Sequence, residues 1–272
     1  MAYTNFQETI WSKYIEHELP KLTVFENDCD YRFKGEVGRG KTVKILGVER
    51  PTIGNYTGAT ITAPTAVNDK AVELKIDQAK YFNFMVDDVD EAQAKDGLMQ
   101  ALMEESNRAM AEERDKYIAQ KCTQDGVKTV EATITTPQTA KAAIDAGIEH
   151  LWANGVSEKD DCTMYLSPKV YMLMMDYIVS TKNKNDALME NGLVGKYMGF
   201  NVKMTNNLYT DELQNKHIIL KTSKGFAFAS GINEVEAYRP QGLFSDAVKG
   251  LNTFGGKVCR PNEIYVIKAK NI

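Results

Sequence analysis

The residues in this chain whose types and spacing could do chemistry begin with Gly35-Glu-Val-Gly-Arg-Gly40-Lys41-Thr42, which fits the phosphate-binding pattern GxxxxGK[ST] letter for letter. In that chemistry backbone amides and the lysine cradle phosphates, the hydroxyl meets Mg²⁺, and a helix amino terminus completes the anion site. The flanks speak against it. A P-loop follows a buried hydrophobic strand and opens a helix, whereas Tyr31-Arg-Phe-Lys is half polar and Val43-Lys-Ile-Leu-Gly-Val48 is a β-branched alternation closed by Pro51. The spacing predicts a glycine bend between two strands, with a P-loop NTPase as the competing enzyme reading.

Other chemistry-bearing groups are weaker. Asp87, Asp88, Asp90 and Glu91 could offer oxygens to a hard cation, but they lack the glycine turn and bidentate residue of a dedicated loop, so helix capping is expected. His17, His150 and His217 are too dispersed to suggest a zinc or triad constellation. Met172, Met174 and Met175 beside Leu173 could form an adaptable binding face, although packing within a short helix accounts for them. Cys29, Cys122, Cys162 and Cys259 form no CxxC pair and no amino-terminal stretch resembles a signal peptide, so free thiols in a reducing cytoplasm are expected. No catalytic residue, metal or cofactor is expected.

The bulk properties agree. With 272 residues, 43% hydrophobic and 26% charged, the chain can bury a sizeable core in one or two domains. A net charge of −4 argues against a protein whose main task is gripping phosphate backbones. No apolar run is long enough to span a membrane.

The elements that must position these groups are organised around Val72 to Cys122. Val72, Leu74 and Ile76 share one face of a strand, which Phe82, Phe84 and Val86 continue. The acidic corner then opens a helix, and Val89, Ala92, Met99, Leu102, Met103, Met110, Tyr117 and Ile118 recur on one stripe. A single helix from Asp88 to Cys122 would be roughly 50 Å long. Upstream, Phe6, Ile10, Trp11, Tyr14 and Ile15 mark an amphipathic arm that ends at Pro20, and its acidic polar face favours a partner subunit over a membrane. A polar turn at Glu26 to Asp30 and a short strand at Tyr31 to Gly35 follow. Strands at Thr42–Val48 and from Val72 flank a Gly-, Thr- and Asn-rich stretch, Arg50 to Asp69, which has little to bury and reads as the tip of a two-stranded arm. Beyond Asp125, helices are expected at Pro137–Ala153 and Pro168–Val179. Strands are expected at Asp161–Leu166, Phe200–Thr205, His217–Lys221, Gly225–Ser230, Val235–Tyr238 and Ile264–Ile267, with a glycine-rich turn at Gly250–Gly256.

Taken together, and most specifically through Lys80-Tyr-Phe-Asn-Phe-Met-Val-Asp-Asp-Val-Asp-Glu-Ala-Gln93, Ala237-Tyr-Arg-Pro240 and Phe244-Ser-Asp-Ala-Val-Lys-Gly250, the chain resembles the major capsid proteins of tailed bacteriophages. The resemblance implies an α+β Hong Kong 97 fold. Its parts would be an amino-terminal arm (1–29), a strand and extended loop (30–84), a peripheral-domain spine helix (85–124), a mixed axial domain (125–234) and a return to the peripheral domain (235–272). It implies a structural protein of the virion, assembled in the host cytoplasm with copies of itself in hexamers and pentamers, around double-stranded DNA. A portal and, since no long amino-terminal extension is present, a separate scaffolding protein would be partners. An encapsulin-like compartment shares the fold and stands as the near alternative. In the family the extended loop lies over an adjacent subunit's peripheral domain. Here the arm from Gly38 to Lys70 carries Arg39, Lys41, Lys44, Arg50 and Lys70 against Glu49 and Asp69, a net +3, while Asp87 to Asp115 carries ten acids and three bases, a net −7. Inter-subunit contacts are therefore expected from those five basic residues, from Glu104, Glu105 and Glu112, and from Phe6 and Trp11 of the arm.

Overall fold

The computed structural model describes residues 24–32, 42–48, 53, 69–87, 98–157, 161–181 and 195–270. In chain order, a 3-10 turn (Glu26–Asp28) is followed by β1 (Thr42–Val48), β2 (Asp69–Lys75), β3 (Gln78–Asp87), α1 (Leu98–Cys122), β4 (Lys128–Thr133), α2 (Pro137–Ala153) and β5 (Cys162–Leu166). Next come α3 (Pro168–Thr181), β6 (Lys196–Tyr197), β7 (Phe200–Met204), β8 (Lys216–Thr222), β9 (Phe226–Tyr238), β10 (Ser245–Val258) and β11 (Ile264–Lys270). The strands form a β1-β2 hairpin, a three-stranded sheet β3-β10-β9, and a six-stranded sheet β4-β11-β8-β5-β7-β6.

Helix α1 joins the two larger sheets. Its first half lays Met103, Met110 and Ala111 against Val248, Phe82 and Phe84 of the three-stranded sheet. Its second half presents Tyr117, Ile118, Ala119 and Cys122 to a core shared with Phe226, Phe228 and Phe254, and with Tyr165, Ile219 and Val266 of the six-stranded sheet. The other face of that sheet is covered by α2 and α3 through Ile144, Ile148, Leu151, Val170 and Met174. Helix α2 starts where the sequence places it because Thr136 and Thr139 form a reciprocal capping box ahead of Pro137.

Several expectations are corrected. The strand expected from Val72 to Val86 is two strands, because the chain breaks at Ile76–Asp77 and changes sheets: β2 pairs with β1, while β3 pairs with β10. The helix runs over 25 described residues from Leu98, about 37 Å; its expected start at Asp88, with Val89 and Ala92, lies outside the described residues. The turn expected at Gly250–Gly256 is strand, since β10 runs straight through it. Its glycines serve close packing: a Cβ on Gly255 would lie 2.0 Å from the Lys75 carbonyl oxygen, and one on Gly250 would lie 2.3 Å from the Phe82 ring. The grouping of residues 235–272 as one unit is corrected at β11, which pairs with β4 and β8 inside the six-stranded sheet. Strands β4 and β6 were not anticipated, and α3 leaves Met172 exposed while burying Met174. The expected strand at Tyr31 to Gly35 meets no strand at Tyr31 and a turn at Arg32, with the remainder outside the described residues. Of the P-loop lookalike only Thr42 is described, and it opens strand β1. A helix amino terminus is what that chemistry needs there, so the NTPase reading fails.

Candidate assembly surfaces

The arm is a hairpin in register. Val43 faces Leu74, Lys44 faces Glu73 and Ile45 faces Val72, so Val43 and Leu74 turn together onto Ala227 and Ala229 of β9 while their neighbours face water. Its base is fixed to α1 by polar contacts. The Tyr117 hydroxyl donates to Asp77 Oδ1 (2.7 Å) at the β2–β3 break and accepts the Gly256 N–H (3.1 Å), and Lys121 lies 3.5 Å from Asp77.

A buried ionic centre ties the start of the described chain to both sheets. The Arg114 guanidinium donates to Glu26 Oε1 and stacks 5.1 Å over the Phe228 ring. Asp115 accepts the Val24 and Phe25 N–H groups, each at 3.2 Å. Asp28 accepts from the Tyr165 hydroxyl (2.5 Å) and from Lys203 Nζ (2.7 Å), Phe25 stacks on Tyr165, and the fully buried Lys221 ammonium donates to the Asp28 carbonyl. Burial pushes Asp115 up to about 6 against the pull of those two backbone amides. Burial likewise pushes the Cys29 and Cys122 thiols up, to about 11 and about 12, so both remain unreactive thiols at neutral pH. Sequence reasoning missed this centre by taking Glu26 to Asp30 for a polar surface turn. A signal was present: Arg114 sits four residues from both Met110 and Ile118, on the apolar stripe itself, where a charge demands a partner.

The expected inter-subunit residues fall in different places. Glu104, Glu105 and Glu112 are exposed on α1, with Glu105 3.1 Å from Arg108. Neighbouring Glu113 is shared between Lys80 of β3 and Lys116, 3.3 Å from each. Asp115 and Arg114 do not contribute to this face, because they are buried. Lys44 is exposed 4.0 Å from Glu73, so part of its charge is answered within the hairpin, and Lys70 lies opposite Gly47 in β2. Phe6, Trp11, Arg39, Lys41 and Arg50 lie outside the described residues, as do Asp88, Asp90, Glu91 and His17. His150 and His217 have separate surroundings: the His150 ring lies tilted 5.0 Å from that of Tyr265, whereas His217 is buried against Tyr209, 3.9 Å from Asp211, with its pKa lowered by burial. Among the described residues no cluster of His, Cys, Asp or Glu could hold a metal, and no helix is long and apolar enough to cross a membrane.

One surface was not foreseen. The face of the three-stranded sheet turned away from α1 exposes Tyr81 and Met85 of β3 and part of Leu251 of β10, with Tyr81 directly opposite Leu251. An exposed apolar stripe of this kind on an open sheet is a candidate contact surface.

No protein-family model and no curated protein matches the chain in sequence. Solved structures do match in fold. A structure from Mycobacterium phage Che8 superposes with a TM-score of 0.78 at 26% identity, covering 90% of this chain and 90% of that one. The capsid of cyanophage P-SCSP1u gives 0.73 at 18% identity, covering 92% and 89%, and the mature capsid of bacteriophage PhiM1 gives 0.69 at 15% identity, covering 92% and 88%. The spine helix on its three-stranded sheet, the mixed six-stranded domain and the hairpin arm thus define the class, a Hong Kong 97 capsid fold. The chain shares this fold with solved capsid structures of phages.

Proposed function

We propose that many copies of this chain close into an icosahedral phage head around double-stranded DNA, assembled in the host cytoplasm on a separate scaffolding protein and completed by a portal. The observation that carries this reading is the superposition on phage structures over nearly the whole length of both partners. The chemistry is that of association. Shell closure is the symmetric solution for one repeated chain whose arm has too little core of its own. The basic hairpin arm docks on a neighbouring copy's acidic α1 face at Glu104, Glu105 and Glu112, where opposite charge sets register and speeds encounter more than it adds affinity. Packaged DNA is held without sequence reading, in keeping with the chain's net negative charge.

Negative-stain imaging of the purified protein, with and without co-expressed phage assembly proteins, tests the proposal. Closed shells or capsomer-sized rings are expected; a strictly monomeric protein at high concentration would overturn it. Shells that exclude DNA and instead enclose a defined protein would transfer the assignment to an encapsulin-like compartment.

A further inference from the structure

Strand β3 is an open edge: β10 pairs with one side of it, and among the described residues no strand pairs with the other. We infer that this edge pairs antiparallel with β3 of a second copy about a two-fold axis at Asn83, joining the two three-stranded sheets into one of six strands. A two-chain species carries the contact, so it does not depend on closure of a shell.

Three observations carry the inference. The first is a contrast between edges. An unpaired strand edge is a template for further pairing, and chains blunt it with short strands and charges. The six-stranded sheet ends on one side in the two-residue β6 and on the other in β4, where Lys128 and Glu131 are exposed and Glu131 holds Lys268 and Lys270. At the far edge of the three-stranded sheet, β9 exposes Glu234 and Glu236. Strand β3 runs for ten residues and instead exposes Tyr81 and Met85, 79% and 61% accessible. The second is the unfinished burial on both faces of this edge. Exposure alternates along β3: Ala79, Tyr81, Asn83 and Met85 face water, while Phe82 and Phe84 turn towards α1 and are only partly buried there. The third is self-complementarity. Opposed residues of an antiparallel pair share a face, so this alternation lets the register move only in steps that keep odd-numbered residues against odd-numbered ones. With Asn83 opposite Asn83, Tyr81 meets the second copy's Met85 on the outer face and Phe82 meets its Phe84 on the α1 face. The two-fold makes each of these contacts twice. The outer row then continues from Leu251 through Tyr81 to the second copy's Met85 and Ala247, since those residues are already opposed within each sheet. The next register on either side sets Tyr81 or Met85 against Asn83 and loses the match.

Cysteine trapping on the full chain tests this. Asn83 is exposed and accepts a hydrogen bond from the Tyr238 hydroxyl, so Asn83→Cys leaves the core untouched. Opposed Cβ atoms of an antiparallel pair lie about 4.5–5.5 Å apart, close to what a disulfide spans. Mild oxidation should therefore join most Asn83→Cys chains through an 83–83 link, located by non-reducing digestion and mass spectrometry, with the native chain as the blank. Tyr81→Cys or Met85→Cys alone should give about a tenth as much, and a mixture of the two should give 81–85 hybrids. No link at 83, or equal yields at 81, 83 and 85, would overturn the inference. Charge tests the same register in the Asn83→Cys background. Tyr81→Lys/Met85→Glu opposes a lysine to the second copy's glutamate twice, whereas Tyr81→Lys/Met85→Lys and Tyr81→Glu/Met85→Glu oppose like charges. Both like-charged variants should give an 83–83 yield about ten-fold below that of the mixed variant; equal yields from all three would overturn the register. Shells that close normally from Asn83→Cys chains without the link would overturn the pairing and leave the proposed function standing.

Discussion

Glu26 and Arg114 form an ion pair whose side chains are 7% and 5% exposed, and it fastens the first described turn to the spine helix. Each charge is tolerated only because the other is present. Removing one partner should therefore be worse than removing both. Arg114→Met or Glu26→Gln alone should lower unfolding free energy by about 3–5 kcal/mol, measured by urea denaturation of the unassembled chain. The double variant Glu26→Leu/Arg114→Met should recover most of the loss. Additive losses would mean that the pair contributes as two separate packing contacts.

Asp115 gives this region a pH dependence of definite sign. Its folded pKa, about 6, lies above the ordinary aspartate value of 3.8, so the folded state binds the proton more tightly. Its contribution to stability is fully present below about pH 4 and declines as pH rises through about 6. The difference in stability between the native chain and Asp115→Asn should thus shift by up to about 3 kcal/mol in favour of the variant between pH 4 and pH 7. Denaturant titrations at the two pH values measure it, and a pH-independent difference would show that the carboxylate is ionised throughout.

The stripe on α1 can be tested by one substitution on each face. Met103 is 2% exposed and Glu105 faces water. Met103→Asp should place an unpaired carboxylate against Val248 and Phe82, at a cost of several kcal/mol and with loss of soluble protein. Glu105→Gln should unfold at the native midpoint.

Gly255 tests the junction of arm and body. Any Cβ there meets the Lys75 backbone, which cannot move aside like a flexible side chain. Gly255→Ala should cost about 3 kcal/mol or more, read as a drop in thermal midpoint, whereas Gly242→Ala, in open space but at φ 83, should cost less.

The charge contact between copies predicts a salt effect. Assembly followed by light scattering should slow as ionic strength brings the Debye length below about 10 Å. Arg50→Glu with Lys70→Glu should block shells and leave the subunit's circular dichroism unchanged. Normal assembly of that variant across a salt series would leave apolar contacts, such as the Tyr81–Leu251 stripe, as the driving surface.

Periodicity by itself determined the elements whose burial is one-sided. The alternation Val43, Ile45, Val72, Leu74 defined the hairpin, and the three- and four-residue spacing of Met103, Met110 and Ile118 defined the face of α1, because a half-buried strand or helix writes its orientation into every second or every third to fourth residue. Proline and a capping threonine defined the start of α2 for an equally local reason. Only the tertiary structure decided where β11 inserts, that the glycines of β10 serve close approach and not a turn, and that Glu26, Asp28, Arg114 and Asp115 face inward. Those outcomes depend on partners about 90 to 175 residues away in sequence, as with Phe25 and Asp115 or Asp28 and Lys203. A glycine or a charge has no local pattern that distinguishes a solvent-exposed use from a buried one; the distinction arises when two distant surfaces are brought together and one supplies what the other lacks.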